Sequence, residues 1–91
     1  MTLLSDGEIE SGLAETQWRR DGDELVCELE LDDFEAAMAK ANAVAGVAQQ
    51  LDHHPDILVH GWNKLTLRVS THSEGGITQR DLDLARAVDA L

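Results

Sequence analysis

A single cysteine, Cys27, leaves no partner for a disulfide within the chain. Proline also occurs only once, at Pro55. No run of about 18 apolar residues is present, which argues against a membrane-spanning helix. The segment after Met1 is acidic and amphipathic, where a secretory leader would be basic and then apolar. The chain therefore reads as soluble and cytoplasmic. Lysine is limited to Lys40 and Lys64, and 7 Lys plus Arg face 18 Asp plus Glu, a formal net charge of −11. That charge repels phosphate backbones and anionic headgroups alike, which argues against direct nucleic-acid binding and against a membrane surface. The same imbalance suits a host with high internal salt, where screening weakens self-repulsion. Loss of the circular-dichroism signal in low-salt buffer is the expected result, and a spectrum indifferent to salt would refute it.

Several motifs are missing as well. HExxH, CxxC and facial-triad spacings are absent, no G-x-S-x-G occurs, and Gly75-Gly76 lacks the lysine and the strand-to-helix frame of a phosphate loop. No internal repeat or low-complexity tract interrupts the chain. What remains is 91 residues with 43% hydrophobic content, enough for one domain over residues 1–91. A chain of this size buries only roughly 60–70% of the surface its unfolded form exposes, so self-association is an expected source of stability.

Ser5 and Glu8 have capping-box spacing, and Leu4 is placed to staple the entry to a short helix over residues 5–14, which contains Gly7 and Gly12. Residues 18–20 and 24–31 flank Asp21-Gly22-Asp23 and predict a β-hairpin. In its second strand Leu25, Cys27, Leu29 and Leu31 alternate with Glu24, Glu28 and Glu30, so Cys27 reads as a core residue. Asp32 with Glu35 resembles a second capping box. Phe34, Ala37, Met38, Ala41, Val44, Ala45, Ala48 and Leu51 then recur at helical spacing, with Phe34 and Met38 read as core. The many alanines and Gly46 predict a helix that lies close on its sheet and ends before Pro55. Residues 57–60 and 62–71 predict two more strands around a turn opened by Gly61. Thr78 with Asp81 caps a last helix whose apolar stripe runs through Leu82, Leu84, Ala85, Ala87, Val88 and Leu91. The order α-β-β-α-β-β-α implies an α+β fold, a four-stranded antiparallel sheet with three helices on one face.

His53, His54 and His72 all fall at element ends, where a scaffold presents side chains to solvent. Imidazole exchanges protons near neutral pH, so a shared acid–base site is one reading. Surface histidines favoured by a helix C-terminus are the other. By atom type His53, His54, His72 and Asp81 are also acceptable metal ligands. Adjacent residues on a helix point about 100° apart, however, and that argues against His53 and His54 sharing an ion.

The segment from Gln49 to Asp81 resembles the signature of the pterin-4a-carbinolamine dehydratases, also described as dimerisation cofactors of a homeodomain transcription factor. It runs His53-His54-Pro55, six residues, Trp62, nine residues, His72, eight residues, Asp81. The likeness extends to Asp33-Phe34, 19 residues ahead of the first histidine, and to the Trp18 hairpin, so it covers nearly the whole chain. It implies a hydro-lyase that needs no metal or other cofactor, acts on a 4a-hydroxytetrahydropterin and assembles as a homodimer or homotetramer. By the same resemblance His53 and His72 exchange acid and base roles, while His54 binds and orients the pterin. Trp18 offers a stacking wall or is core, and Asp81 holds an imidazole tautomer or merely caps Thr78. Gln49 replaces a residue that is commonly charged in the family. It keeps its capacity for hydrogen bonding, one turn below His53, but not for proton transfer. A module that only binds or assembles other proteins is the alternative that such a resemblance leaves open.

Overall fold

Strict alternation in the second strand builds the centre of the sheet, because side chains on a strand point to opposite faces in turn. A computed structural model describes residues 2–91, in the order α1 (Asp6–Leu13), β1 (Arg19–Asp21), β2 (Glu24–Glu30), α2 (Phe34–Leu51), β3 (Asp56–His60), β4 (Lys64–Val69), a short 3-10 turn (His72–Glu74) and α3 (Gln79–Asp89). The strands form one antiparallel sheet in the order β1-β2-β4-β3. Leu25, Cys27, Leu65, Leu67 and Val69 face the helices and pack with Ile9, Val44, Ala48, Leu82, Ala85 and Val88 in one core. The protein is thus the α+β sandwich that the element order implies.

The opposite face is mostly charged or polar, with Val26 and Leu58 as its apolar members. Val26 sits on that face between Arg19 and Arg68 in register, yet it is wholly buried. Arg19 reaches Glu28 at 2.9 Å and Arg68 reaches Asp21 at 3.0 Å, and the methylene stems of arginines held this way can cover an apolar neighbour.

Several boundaries differ from the sequence reading, each for a local reason. The cap of α2 is Asp33, whose Oδ1 accepts the Ala36 N–H at 2.8 Å, and not Asp32. Phe34 and Met38 are not core: they are 55% and 39% exposed, while Ala37, Ala41, Val44 and Ala48 form the buried stripe. A pattern dense in apolar residues allows more than one stripe, and the small residues won because the helix lies against the sheet on its alanine side. Gly46 does not serve that approach, since a side chain there would meet open space. Gly12 does serve a close approach: a Cβ would come within 2.4 Å of Leu82 Cδ1, so α1 and α3 touch where glycine leaves room. The last strand begins at Lys64, because Gly61 and Trp62 form the turn with φ of 53° and 58°. A type I′-like turn demands this conformation at both central positions, and tryptophan adopts it only at a cost. Trp62 is left 63% exposed.

Cys27 is buried in the core as expected, and burial, aided by the negative field of Asp89, pushes its thiol up to about 11. The unfolded thiol ionises near pH 9, so between about 9 and 11 the unfolded state binds fewer protons and stability falls as pH rises. Chemical denaturation across that window should show the decline, and Cys27→Ala, weaker at neutral pH because of its cavity, should lose this component of the slope.

Candidate active site

The long helix ends by reversing its backbone. Asp52 adopts the left-handed conformation with φ of 51°, its N–H turns back to the Gln49 carbonyl at 3.3 Å, and the His53 N–H returns to the Ala48 carbonyl at 3.1 Å. The Arg80 guanidinium, from the first turn of α3, donates to the Asp52 carbonyl and ties the two helix ends together. Beyond this reversal successive side chains diverge: His53 is 8% exposed and turned inward, whereas His54 is exposed. The two histidines therefore lie past the helix rather than on it.

Inside, His53 meets Asp81. His53 Nε2 lies 2.6 Å from Asp81 Oδ1, with Asp81 completely buried. Burying a carboxylate is costly unless its lone pairs are met. Here Oδ2 accepts the Thr78 N–H and the Thr71 hydroxyl, each at 2.8 Å. Asp81 thus fills both roles that its sequence position offered: it closes the capping box of α3 with Thr78 and holds an imidazole.

Gln49 holds the other histidine. Its Oε1 accepts from His54 Nε2 at 3.0 Å, so the residue one turn below His53 orients His54 instead. An amide oxygen can accept an N–H but brings no negative charge to stabilise an imidazolium. Each neighbouring imidazole is thereby anchored through Nε2, which leaves its Nδ1 as the ring nitrogen available to a ligand.

His72 follows in sequence the threonine that bonds Asp81. Thr71, buried, bonds Asp81 with its side chain and pairs with Gly76 through its backbone, and His72 follows it into an exposed 3-10 turn that Gly75 closes at φ of 72°. Trp18 stays outside this network. It is 4% exposed in the core and lines a cleft with Asp6, Ile9 and Leu13 between α1 and β1. A second cleft, of about 600 Å³ between α1 and α3, likewise holds none of the histidines. Among the described residues no three His, Cys, Asp or Glu side chains converge as a metal-ligating group. Sequence patterns missed Thr71, which has no local signature, while the Thr-x-x-Asp spacing of Thr78 and Asp81 was the visible half of the network.

The fold and this corner define a class: a small α+β protein with a buried, carboxylate-held imidazole and exposed histidines next in sequence to members of that network. Residues 2–91 match the family model described as pterin 4 alpha carbinolamine dehydratase. A protein of Nocardia farcinica, provisionally named a pterin-4-alpha-carbinolamine dehydratase, is 44% identical over 90 residues, covering 98% of this chain and 94% of its own length. A similarly named protein of Natronomonas pharaonis is 41% identical over 88 residues, covering 97% of this chain and 94% of its own. Among solved structures, a transcriptional coactivator/pterin dehydratase from Brucella melitensis superposes with a TM-score of 0.88 at 27% identity, over 98% of this chain and 97% of that one. A pterin dehydratase-like RuBisCO assembly factor of the alpha-carboxysome shares the fold, with a TM-score of 0.66 at 20% identity over 84% of this chain and 89% of that one. The chain belongs to the pterin-4a-carbinolamine dehydratase family. No helix among its described residues is long and apolar enough to cross a membrane.

Proposed function

We propose that the protein is a hydro-lyase that dehydrates a 4a-hydroxytetrahydropterin, with His53 and His72 as its acid–base pair. The observation that carries this reading is the buried 2.6 Å contact between His53 and Asp81. Beyond closing the capping box of α3, a carboxylate held by these hydrogen bonds gives a proton-transferring imidazole a fixed tautomer. In the reaction the C4a–O bond breaks as the leaving oxygen gains a proton. The N5 lone pair then forms the N5–C4a double bond, and N5 loses its own proton. One group must donate and one must accept, so water and a quinonoid dihydropterin leave with protons and charge balanced. His53 and His72 exchange these roles according to the ring face that bears the hydroxyl, and His54, steadied by Gln49, contributes a hydrogen bond to the pterin. Trp18, 4% exposed, supports the site through the core.

The test is a stopped spectrophotometric assay with freshly generated 4a-hydroxytetrahydropterin, in which this chain should exceed the spontaneous rate. No acceleration, together with no calorimetric binding of a dihydropterin, would overturn the reading.

A second reading, a module that binds other proteins or its own copies, is favoured by the exposure of Phe34, Met38, Leu58 and Trp62. As a homodimer or homotetramer the protein would cover such surface and remain an enzyme. As an interaction module alone, it would bind no pterin.

A further inference from the structure

Asp81 has two carboxylate oxygens, and each is committed. Oδ1 faces His53 Nε2 at 2.6 Å, while Oδ2 accepts from the Thr78 backbone N–H and the Thr71 hydroxyl. A hydroxyl has one proton to give. Thr71 gives its proton to Asp81, so in the 2.8 Å contact between the Thr71 and Thr78 hydroxyls the donor is Thr78. Thr78 Oγ1 in turn receives the Arg80 N–H at 3.3 Å. The protons therefore point one way, from the first turn of α3 through two threonines into Asp81, and each polarises the next. Both donors lie on Oδ2, and an ionised carboxylate can only accept, so Oδ1 takes its hydrogen from His53. A hydrogen on Nε2 satisfies the 2.6 Å contact, whereas a lone pair there would oppose the oxygen.

We propose that Thr71 is a positioning residue for His53: its hydroxyl, acting through Asp81, holds His53 as the Nε2–H tautomer and turns Nδ1 into the ring's proton-accepting face. The proposal rests on the reading of His53 as an acid–base group. Besides its bond to Asp81, the hydroxyl only accepts from the Thr78 hydroxyl. The capping box of α3 is complete with Thr78 and Asp81 alone, and the pairing of Thr71 with Gly76 uses backbone atoms only. A valine would match threonine in shape and in its extended conformation, and it would lack the donor to Asp81 and the acceptor for the Thr78 hydroxyl, which serine keeps.

The experiment compares Thr71→Val with Thr71→Ser in the full chain. Imidazole 15N resonances report the tautomer of His53 directly, and steady-state kinetics against pH report its use. The expected result is that Thr71→Val mixes the His53 tautomers, lowers kcat roughly tenfold with KM little changed, and displaces the pH profile, whereas Thr71→Ser restores all three. Unaltered His53 resonances in a folded Thr71→Val protein would overturn the proposal, as would equal losses in both variants. If Thr71→Val fails to fold, Thr71→Ala carries the same comparison with serine. Because the resonances need no turnover, they decide the role of Thr71 even if no pterin is dehydrated.

Discussion

A chain carrying both His53→Ala and His72→Ala is expected to return pterin dehydration to its spontaneous rate. General acid–base groups contribute on the order of 10²-fold each, so either single variant should retain measurable activity and the double variant none. The two histidines differ in setting, and the single variants should differ with them. His53 is buried against Asp81, so its removal also strands a buried carboxylate that accepted its N–H. His53→Ala should therefore lower the melting temperature as well as kcat, by an amount equivalent to roughly 1–3 kcal/mol. His72 is exposed on its 3-10 turn, and His72→Ala should lower kcat with the melting temperature unchanged. His54→Ala, which frees Gln49, should act chiefly on KM. Full turnover in the double variant would remove the proposed acid and base.

The second large effect belongs to Asp81, where two substitutions separate stability from chemistry. Asp81→Ala leaves the Thr78 N–H and the His53 N–H without an acceptor in the interior, deprives the Thr71 hydroxyl of its carboxylate partner, and removes the Asp81 half of the α3 capping box. Unmet buried donors cost about 1–3 kcal/mol each, so a loss of several kcal/mol and a largely unfolded chain are expected in thermal or urea denaturation. Asp81→Asn keeps the shape and one acceptor oxygen. Its amide must then present an NH2 either to the threonine side, where donors already converge, or to His53 Nε2. The second arrangement moves the imidazole proton to Nδ1, the face proposed to accept one. The folded variant should lose about 10²-fold or more in kcat with a near-normal melting curve. Turnover equal to the native chain would show that the tautomer of His53 does not matter.

How much of this was legible in the sequence can be judged element by element. The alternation of Leu25, Cys27 and Leu29 against Glu24, Glu28 and Glu30 carries strand β2, because period-two patterning has a single burial solution. Ser5 with Glu8 and Thr78 with Asp81 mark their helix starts correctly, since a cap is a local contact between residues three apart. Helix α2 was legible in extent but not in orientation. Its apolar residues cover more than one stripe, and only the packing against the sheet shows that Phe34 and Met38 lie outside.

For the site, residue types and positions offered His53, His54 and His72 as acid–base groups or as surface histidines, and the resemblance to the family chose the first reading and added Asp81 to it. A histidine at an element end and an acid in a first helical turn are visible without coordinates. Sequence alone also determined the antiparallel α+β architecture, the strong negative charge and the absence of an internal disulfide, all of which depend on local pattern or plain counting. Tertiary structure decided the pairings. Asp81 lies 28 residues from His53 and 10 from Thr71, and Gln49 turned out to hold His54 rather than His53. Those contacts exist because Asp52 reverses the chain at the end of α2 and α3 begins against that reversal. A hydrogen bond formed across such a distance leaves no periodic trace in the sequence; it is set by where two backbones meet.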